Sequence, residues 1–577
     1  MLPRRLLVSL LALGTLACGG AEADRKTASG KPGAAEDGGT AVVAWTGDFE
    51  RPFPLYFATT PDGDLQDVLF MGLTRASFAD GRLTYQTGEH NPMALARSYE
   101  YAGGDSSRLR FHLRQGVRWS DGQPVTSRDV VFTFTAIRDP HYGSPRQGMM
   151  MAWDSVRAQD DSTVTFFFPR YNPQDLFITA HPLAPAHEYA QLPAAGLRNH
   201  PTLANPDSNR MVVSGPFYID RRVHGSQFTL TRNPYFAPRP HLDHIVVRII
   251  PDPAVAPAEF RQHNVDVLGV KIDQMIELRA KMKDVRFDHI GQRGFTYLAY
   301  NPRTVPAFAD PAVRRALGMA VDVPALLRVL QLADAAQPAA GPYPAGYRDW
   351  FDPARMHPLS FDTAGARRLL AERGWKPGPD GVLAKDGKPL RFELLTVASD
   401  HRAGEVAVFV HEAWRRLGVD VQIRGLEGTA YTGMLMQRQF QAAFGGWSVQ
   451  LDPDLGWFLD AKSANNVVSY DSPEFQRLAD LARKAPTRDE ANRLWRDAAV
   501  QVIQDQPYTF LYNGDAMVAY GPQLQGAHVS LISFFENPWE WWQPAQYRRT
   551  LGDAAPAPGP PAADSARPSA ASPAAKK

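Results

Sequence analysis

The sequence predicts a mixed α/β protein with more than one lobe, and three observations support this fold class. The chain is 577 residues long, which exceeds what one hydrophobic core usually supports. Hydrophobic residues make up 44% of it and charged residues 21%, which is typical of globular domains. Short segments of alternating polarity are interleaved with segments of helical spacing, so strands and helices are expected to alternate along the chain.

The clearest passage from strand to helix lies at 108–137. Residues 108–122 alternate in polarity and end in Trp-Ser-Asp-Gly, which predicts a strand that runs into a turn. Thr126 or Ser127 is expected to cap the following helix, with Asp129 in its first turn. The apolar residues of that helix recur at helical spacing at Val130, Phe134 and Ile137.

Four other segments carry equally local signals. The apolar residues 42–45 predict a strand near the start of the folded body. A helix is predicted over 310–330, with Asp310 as its cap and Pro311 in its first turn. Another helix is predicted over 361–375 and ends at Gly374. Residues 404–427 predict a helix, a glycine stop and then a strand.

The two ends of the chain differ from the body. Residues 1–17 have the order of basic, apolar and small residues that is typical of a signal peptide. Cys18, the only cysteine, follows directly and resembles the acylated cysteine of bacterial lipoproteins; cleavage elsewhere, which would leave a free thiol, is the alternative. Residues 18–40 predict a flexible tether, and the Pro/Ala-rich residues 549–577 predict a disordered tail.

Composition argues against several classes of function. The formal net charge is +1, so no bulk electrostatic field favours nucleic acid, and no nucleic-acid partner is expected. No further long apolar segment predicts a membrane span. The sequence has no His-Glu-x-x-His, Gly-x-Ser-x-Gly, P-loop or dinucleotide motif. We therefore expect a protein that is not an enzyme and that holds no cofactor and no metal.

Several stretches resemble, in the same order, the family 5 solute-binding proteins of ABC transporters, which include dipeptide- and oligopeptide-binding proteins. The stretches are RLRFHLRQGVRWSDGQPVTSRDVVFTF (108–134), SGPFYIDRRVHGSQFTLTRNPYF (214–236), YLAYNPRTVPAFADPAVRRALGMAVD (297–322), FDTAGARRLLAERGW (361–375), FGGWSVQLDPD (444–454) and NNVVSYDSPEFQRLADLARKA (465–485). Because they extend over most of the chain, the resemblance covers about residues 40 to 545.

The resemblance implies a periplasmic-binding-protein-like α/β fold (class II, cluster C), with two lobes that clasp the ligand and one inserted lobe. Lobe I is expected to be discontinuous, lobe II to be the insertion, and the ligand to lie between lobes I and III. The implied boundaries are 41–75, 205–292 and 508–548 for lobe I, 76–204 for lobe II and 293–507 for lobe III.

The implied function is the substrate-binding component of an ABC importer, which captures a peptide or peptide-like solute and delivers it to permease subunits. The resemblance also implies a monomeric, membrane-anchored lipoprotein in the periplasm or outside the cell. A non-peptide ligand, such as an oligosaccharide or a metal chelate, and a role as a ligand-presenting sensor lipoprotein are the alternatives.

The main site candidates lie around Trp447. In the peptide-binding branch of the family an aspartate three residues after this tryptophan pairs with the peptide's α-ammonium group, whereas this chain has Gln450 there. A neutral amide does not neutralise an ammonium group. Either the ligand has no free α-amine, or another acid such as Asp452 replaces the aspartate. Asp452 also has a structural interpretation, since Asp452-Pro453 suits the start of a helix.

Three further residues are candidates for contact with the ligand. Trp45 ends the first strand of the body, and ligands bind at the carboxyl ends of strands in open α/β sheets. Tyr431 opens a predicted helix, and Asn466 resembles a polar position of the family's third lobe. The Trp-Ser-Asp-Gly at 119–122 is interpreted as a turn with a packed tryptophan rather than as a ligand contact.

Overall fold

The structure is a computed structural model in which residues 35–56, 59–102, 106–204, 210–252, 254–292, 294–449 and 451–554 are described. Strands of the part before residue 205 are β1 (Thr40–Trp45), β2 (Arg75–Ala79), β3 (Arg82–Gln86), β4 (Ala96–Ala102), β5 (Arg108–Leu113), β6 (Ser155–Asp160) and β7 (Thr163–Phe167). Its helices are α1 (Thr60–Leu69), α2 (Ser127–Arg138), α3 (Asp175–Thr179), α4 (Ala186–Tyr189), α5 (Ala194–Arg198) and α6 (Pro201–Ala204).

The middle part, from 210 to 292, adds five strands and two helices. They are β8 (Phe217–Val223), β9 (Gln227–Arg232), β10 (His244–Ile249), α7 (Val255–Arg261), β11 (Val267–Val270), α8 (Ile272–Lys281) and β12 (Arg286–Gln292).

The last part, from 294 to 554, is the longest. Its strands are β13 (Gly294–Tyr300), β14 (Ala336–Pro338), β15 (Lys376–Pro377), β16 (Leu383–Lys385), β17 (Lys388–Pro389), β18 (Arg391–Val397), β19 (Asp420–Leu426), β20 (Ala442–Ser448), β21 (Tyr508–Phe510) and β22 (Tyr512–Tyr520). Its helices are α9 (Pro311–Met319), α10 (Val323–Val329), α11 (Thr363–Glu372), α12 (His401–Leu417), α13 (Gly428–Met436), α14 (Gly456–Leu459), α15 (Pro473–Arg483) and α16 (Arg488–Asp505). Short 3₁₀ helices lie at Pro140–Tyr142, Met149–Ala152, Pro306–Ala309, Pro538–Glu540 and Ala545–Tyr547.

Two large sheets organise these elements. In the first sheet the order is β12-β22-β11-β1-β10-β9-β8, with β14 paired to β22. In the second the order is β19-β18-β20-β13-β21. Strand β1 is parallel to β10 and β11, and β18 is parallel to β19 and β20. A four-stranded sheet, β4-β5-β7-β6, and the hairpin β2-β3 lie in the segment before residue 205. The mixed α/β fold class is confirmed.

Apart from the short strand β14, which leaves the second sheet's part of the chain to pair with β22, the chain passes between the two large sheets at two places. One passage joins β12 to β13, and the other joins β21 to β22 through the buried Leu511. Strand β21 pairs with β13 in the second sheet, although the predicted boundary at 507/508 assigns it to lobe I. The passage therefore lies three residues later than expected, and the lobe boundaries remain a prediction.

Most local signals are confirmed in the structure. Thr126 caps α2 in a capping box with Asp129, and the apolar face of α2 is buried. Helix α12 ends at Gly418, where φ is 93°, a conformation that favours glycine. The predicted helix over 310–330 is wrong in its extent, since it is two helices. The break occurs because the Asp322 side chain caps a new helix and Pro324, in its first turn, has no N–H to continue the old one.

Strand β1 explains why the first sheet is covered on both faces. Ala41, Val43 and Trp45 belong to one hydrophobic core, while Val42 and Ala44 belong to another. Alternate side chains of a strand point to opposite faces, so this strand contributes to two cores at once.

The folded body extends further towards the carboxyl terminus than expected. The Arg549 guanidinium bonds to the carboxylate of Asp266, which is fully buried, and Arg248 donates to the Ala554 carbonyl at 2.7 Å. A buried carboxylate needs a cationic partner. The prediction of a disordered tail from residue 549 is therefore wrong for 549–554, and residues 555–577 lie outside the described part of the chain.

Candidate functional site: a cleft beside the sheet passages

A cleft of about 620 Å³ opens beside the two passages between the large sheets. Gly294 and Tyr512, the first residues of β13 and β22, line it on one side. Val397 and Ser448, the last residues of β18 and β20, line it on another. These two strands are parallel, so the cleft lies at the carboxyl ends of parallel strands, where open α/β sheets usually bind ligands.

Trp447 supplies an aromatic wall of this cleft. It pairs with Phe295 across β20 and β13, and it is half-buried. Its ring meets that of Trp457 edge-on, with centroids 5.2 Å apart, and its indole N–H donates to the Tyr508 hydroxyl at 3.4 Å. Packing and the hydrogen bond restrict the ring, so one face is held in position for a ligand.

Tyr431 lies in the same cleft, which brings two of the predicted site residues together. Its hydroxyl donates to the Phe444 carbonyl at 2.6 Å, and its side chain is buried. A Cβ atom added at Gly445 would lie only 3.0 Å from that hydroxyl and 2.8 Å from the hydroxyl of Tyr297. The backbone of β20 therefore approaches both tyrosines closely at Gly445, where a larger residue would not fit.

Two charged side chains, Asp400 and Arg402, belong to the described lining of the cleft. Asp400 caps α12, since its Oδ1 accepts from the Ala403 N–H at 3.1 Å. Arg402 is half-buried in the first turn of the same helix. Sequence analysis missed both, because a polar residue in a helical first turn has no signature that distinguishes a ligand contact from a cap.

Asp452 lies elsewhere, in a small cavity of about 50 Å³ that Gln174 and Arg488 also line. The predicted cap is wrong: α14 begins at Gly456, and its first N–H bonds to Asp454 at 2.7 Å. Asp452 instead accepts from the Asp454 N–H at 2.9 Å and from the Gln174 side chain. A tight turn of its own segment therefore uses this carboxylate before any helix starts.

The surroundings of Asp452 favour its neutral form. Burial, together with the neighbouring Asp454 carboxylate, raises the pKa of Asp452 to about 6. Beside it, the buried carboxylate of Asp175 accepts from Arg488 at 3.2 Å, and burial raises the pKa of Asp175 as well. Burial therefore makes the negative charge of both Asp452 and Asp175 less favourable than it is in water.

Asn466 and Trp45 line neither cavity. The amide of Asn466 is buried and bonded to the Tyr470 N–H and carbonyl at 2.8 and 2.7 Å, so it holds its own loop together. Trp45 is buried against aromatic rings, with centroids 5.6 Å from Phe228 and 5.7 Å from Phe534. Both residues therefore pack or bond within the protein. The prediction that they contact a ligand is not supported by this arrangement.

The turn at 119–122 has the expected architecture. Trp119 is fully buried, its carbonyl accepts from the Gly122 N–H at 2.9 Å, and Gly122 has a φ of 89°. Cys18 and Gln450, the remaining predicted site residues, lie outside the described residues. Of the predicted site residues, Trp447 and Tyr431 therefore line one cleft together, and Arg402, which was not predicted, lines it as well.

Comparison with known families identifies this architecture. The model of bacterial extracellular solute-binding proteins, family 5, matches residues 93–501. The chain belongs to this family. As a family 5 solute-binding protein it is placed outside the cytoplasmic membrane, and the family is one of binding proteins rather than enzymes.

Individual relatives cover nearly the whole chain. The oligopeptide-binding protein AppA of Bacillus subtilis is 26% identical over 549 residues, covering 93% of this chain and 97% of AppA. The structure of AppA with a nonapeptide has a TM-score of 0.69 at 24% identity and covers 88% of this chain and 100% of that one. NikZ of Campylobacter jejuni, solved with Ni(L-His), has a TM-score of 0.72 at 21% identity, with 87% and 99% covered.

These likenesses establish the fold of this family 5 protein, and the predicted periplasmic-binding-protein-like fold is confirmed. Its role as a substrate-binding component in import is supported by relatives that are ABC-transporter binding proteins. Within the described ranges, no helix has both the length and the apolar character to cross a membrane. Those same ranges contain no group of three or more His, Cys, Asp or Glu side chains arranged to hold a metal ion.

Proposed function

We propose that this protein captures a peptide or peptide-like solute in the cleft at Trp447 and delivers it to the permease of an ABC importer. The observation that carries the proposal is the position of the cleft, beside both passages between the large sheets. A ligand there contacts groups from both sides of a hinge, so binding favours the closed arrangement. The relative AppA, an oligopeptide-binding protein, supports a peptide as the ligand.

The predicted lobes provide the framework for this proposal. Lobe I would contain the first large sheet (41–75, 205–292 and 508–548), lobe II the insertion 76–204, and lobe III the second large sheet (293–507). We further propose a monomer that is held at the membrane by a lipid on Cys18. Fractionation of cells that express Cys18→Ser tests the anchor, since the variant should leave the membrane fraction.

A non-peptide ligand is the second candidate, and one feature favours it. The exposed face of Trp447 suits the apolar face of a sugar ring as well as a peptide side chain. The solved relative NikZ, with its Ni(L-His) ligand, supports a chelated metal, which would bring its own ligands. The experiment below therefore includes both classes.

The test is a thermal-shift panel on the chain from residue 18 onward with Cys18→Ser. The panel contains randomised tetrapeptides, the same peptides with acetylated amino ends, maltotetraose, and nickel with L-histidine. A ligand at 100 times its Kd should add about 2.7 kcal/mol to the free energy of unfolding. Stabilisation by tetrapeptides supports the proposal, whereas stabilisation only by sugar or nickel chelate overturns the peptide assignment.

Trp447→Ala should abolish this ligand-dependent shift, because it removes the aromatic wall. Phe361→Ala is the matched control, since Phe361 is 52% exposed and lies outside the cleft. A tetrapeptide shift that survives Trp447→Ala unchanged would contradict the site. Comparison of free and acetylated peptides then decides whether a free α-amine is recognised despite Gln450.

A further inference from the structure

The return passage between the two large sheets changes partners at one point of β22. Tyr512, Asn513 and Gly514 pair with β14, which belongs to the second sheet's part of the chain. From Asp515 onward the strand pairs with β12, and from Met517 it pairs with β11 as well. The boundary between residues held by one part and residues held by the other therefore lies between Gly514 and Asp515.

Side chains fasten β22 to β13 just before this boundary. The Thr296 hydroxyl donates to the Tyr512 carbonyl at 3.1 Å and accepts from the Tyr512 N–H at 3.3 Å. One residue further, the buried Asn513 side chain donates to the Gly294 carbonyl at 2.7 Å. The register of β13 with β21 ends at Tyr297, so these side chains continue the attachment of the return passage to β13 beyond that point.

On the other side of the boundary the pairing is irregular. Strand β12 carries a bulge between His289 and Gly291, opposite Met517 and Ala516 of β22. Gly291 itself has a φ of 90°. A bulge disrupts the ladder locally and bends its strand. The pairing of β22 is therefore less regular just beyond the boundary than before it.

Gly514 occupies the boundary although nothing in this arrangement requires a glycine there. A Cβ atom added to it would meet no heavy atom beyond its chain neighbours within 4 Å, and its φ lies outside the left-handed region. By contrast, a Cβ at Gly294 would lie 2.2 Å from the Trp447 carbonyl oxygen, so packing requires glycine at that position. At Gly514 the one property that a side chain would remove is the wide conformational range of the backbone.

We propose that Gly514 is the pivot of the return passage when the cleft closes, and that Asn513 is the positioning residue that confines bending to it. This inference rests on the proposed function and names residues that carry out the closure. Asn513 and Thr296 keep Tyr512 with the second sheet, so rotation is left to the glycine that follows. Because Tyr512 and Gly514 both line the cleft, a bound ligand lies against the pivot itself.

Distances between two spin labels measure this motion. Cys18→Ser leaves the chain from residue 18 onward without a cysteine, so Val255→Cys on α7 and Val408→Cys on α12 provide one label on each side. These positions are 44% and 62% exposed and lie outside the described lining of the cleft. Pulsed EPR then gives the distance distribution without ligand and with the randomised tetrapeptides.

Without ligand, the wild-type distribution should span an open and a closed population. Gly514→Ala fits the present arrangement but restricts the pivot, so its ligand-free distribution should fall to about half the wild-type width. Gly269→Ala is the matched control, because Gly269 is an exposed glycine of β11 in the same sheet, has equally open surroundings and lies outside the cleft lining. An unchanged width in Gly514→Ala, or equal narrowing in the control, would overturn the pivot.

Asn513→Leu removes the bond to Gly294 and keeps a side chain of similar size. Release of the residues before the pivot should broaden the ligand-free distribution and raise the apparent Kd for tetrapeptides by about threefold or more. Asn233→Leu is the matched control, because the buried Asn233 amide likewise donates to a backbone carbonyl, that of Gly215, at 2.8 Å. The control should lower the melting temperature and leave the distances unchanged. The same result for Asn513→Leu would make Asn513 a purely structural residue.

The outcomes for the pivot and for the proposed function are separate. If tetrapeptides change none of the distributions while Gly514→Ala still narrows the ligand-free one, the peptide function fails and the pivot stands. If tetrapeptides shorten the distance equally in wild type and Gly514→Ala, and their ligand-free widths are equal, the peptide function stands and the pivot is overturned.

Discussion

Asp452 shows how one carboxyl group can link stability to pH. It accepts from the Asp454 N–H at 2.9 Å and from the Gln174 side chain. Burial and the Asp454 carboxylate raise the pKa of Asp452 to about 6. The folded state therefore retains this proton at pH values where an unfolded chain, with an aspartate pKa of about 3.9, has released it.

The sign of the effect follows from this difference. Between about pH 4 and pH 6 the folded state binds more protons at this site, so the contribution of Asp452 to the free energy of unfolding falls as pH rises. Below pH 4 both states are protonated, and its contribution is greatest there. The total loss across the window is on the order of 2–3 kcal/mol.

We expect Asp452→Asn to remove this loss. Unfolding by guanidinium chloride at pH 4.5 and pH 7.5 should show that the variant gains free energy of unfolding relative to wild type at the higher pH. The exposed Asp471 provides the control variant Asp471→Asn. An equal change at both pH values would mean that hydrogen bonding, rather than a buried charge, governs this position.

At the scale of elements, β20 combines tight packing with an open surface. Its adjacent glycines, Gly445 and Gly446, differ in how closely other groups pack against them. A Cβ at Gly445 would meet the hydroxyls of Tyr297 and Tyr431 at 2.8 and 3.0 Å, whereas a Cβ at Gly446 would have its nearest atom, the Phe295 carbonyl oxygen, at 3.4 Å. Gly445 and Trp447 are two residues apart and share one face of the strand, so the close approach to the tyrosines lies beside the tryptophan that lines the cleft.

Gly445→Ala should therefore destabilise the protein by about 1–3 kcal/mol, the usual cost of overpacking. It should also weaken ligand binding, because Tyr431 lines the cleft beside Trp447. Gly446→Ala is a matched control one residue away, and we expect it to change the free energy of unfolding by less than about 1 kcal/mol. Denaturant unfolding of the two variants measures both effects, and equal losses would contradict the packing argument.

At the scale of the whole molecule, the segment before residue 205 contacts the part of the chain that contains the second large sheet. Phe78 packs on Tyr347 with ring centroids 4.9 Å apart, and the Arg348 N–H donates to the Gly81 carbonyl at 2.8 Å. Arg488 adds an ion pair to Asp175. These contacts hold together parts of the chain that are more than 250 residues apart in sequence.

Without Arg488, the Asp175 carboxylate would stay buried with no cationic partner, because its side chain is only 1% accessible to solvent. The free energy of unfolding should fall as a result. We expect Arg488→Gln to destabilise the protein by about 3 kcal/mol, since breaking a buried ion pair leaves an unpaired charge. Arg493→Gln, on the same helix but in an exposed pair with Asp497, should cost less than about 0.5 kcal/mol.

Adding Asp175→Asn to Arg488→Gln should recover part of the loss, because the unpaired charge disappears with the carboxylate. Chemical denaturation of the four proteins forms a double-mutant cycle. Additive effects of the two substitutions would show that the pair does not act as a unit.

The sequence by itself determined the fold class, the order of the elements and the family. Local chemistry is sufficient for such features: Thr126 and Asp129 cap α2, Gly418 ends α12, and Asp310 starts α9. These signals act over a few residues, so they can be recognised without knowledge of distant neighbours. The sequence also indicated Trp447, which follows a glycine pair, and Tyr431, which opens a predicted helix.

Only the tertiary structure decided which candidates meet. Trp45 lies among Phe228 and Phe534 instead of in the cleft, because partners nearly 200 and 500 residues away in sequence determine its burial. Asp452 caps no helix, since Gln174 reaches it from a remote segment. Arg402 was recognised as part of the cleft only when the structure showed it in the lining. Pairing across such distances depends on the packing of sheets, which no local pattern encodes.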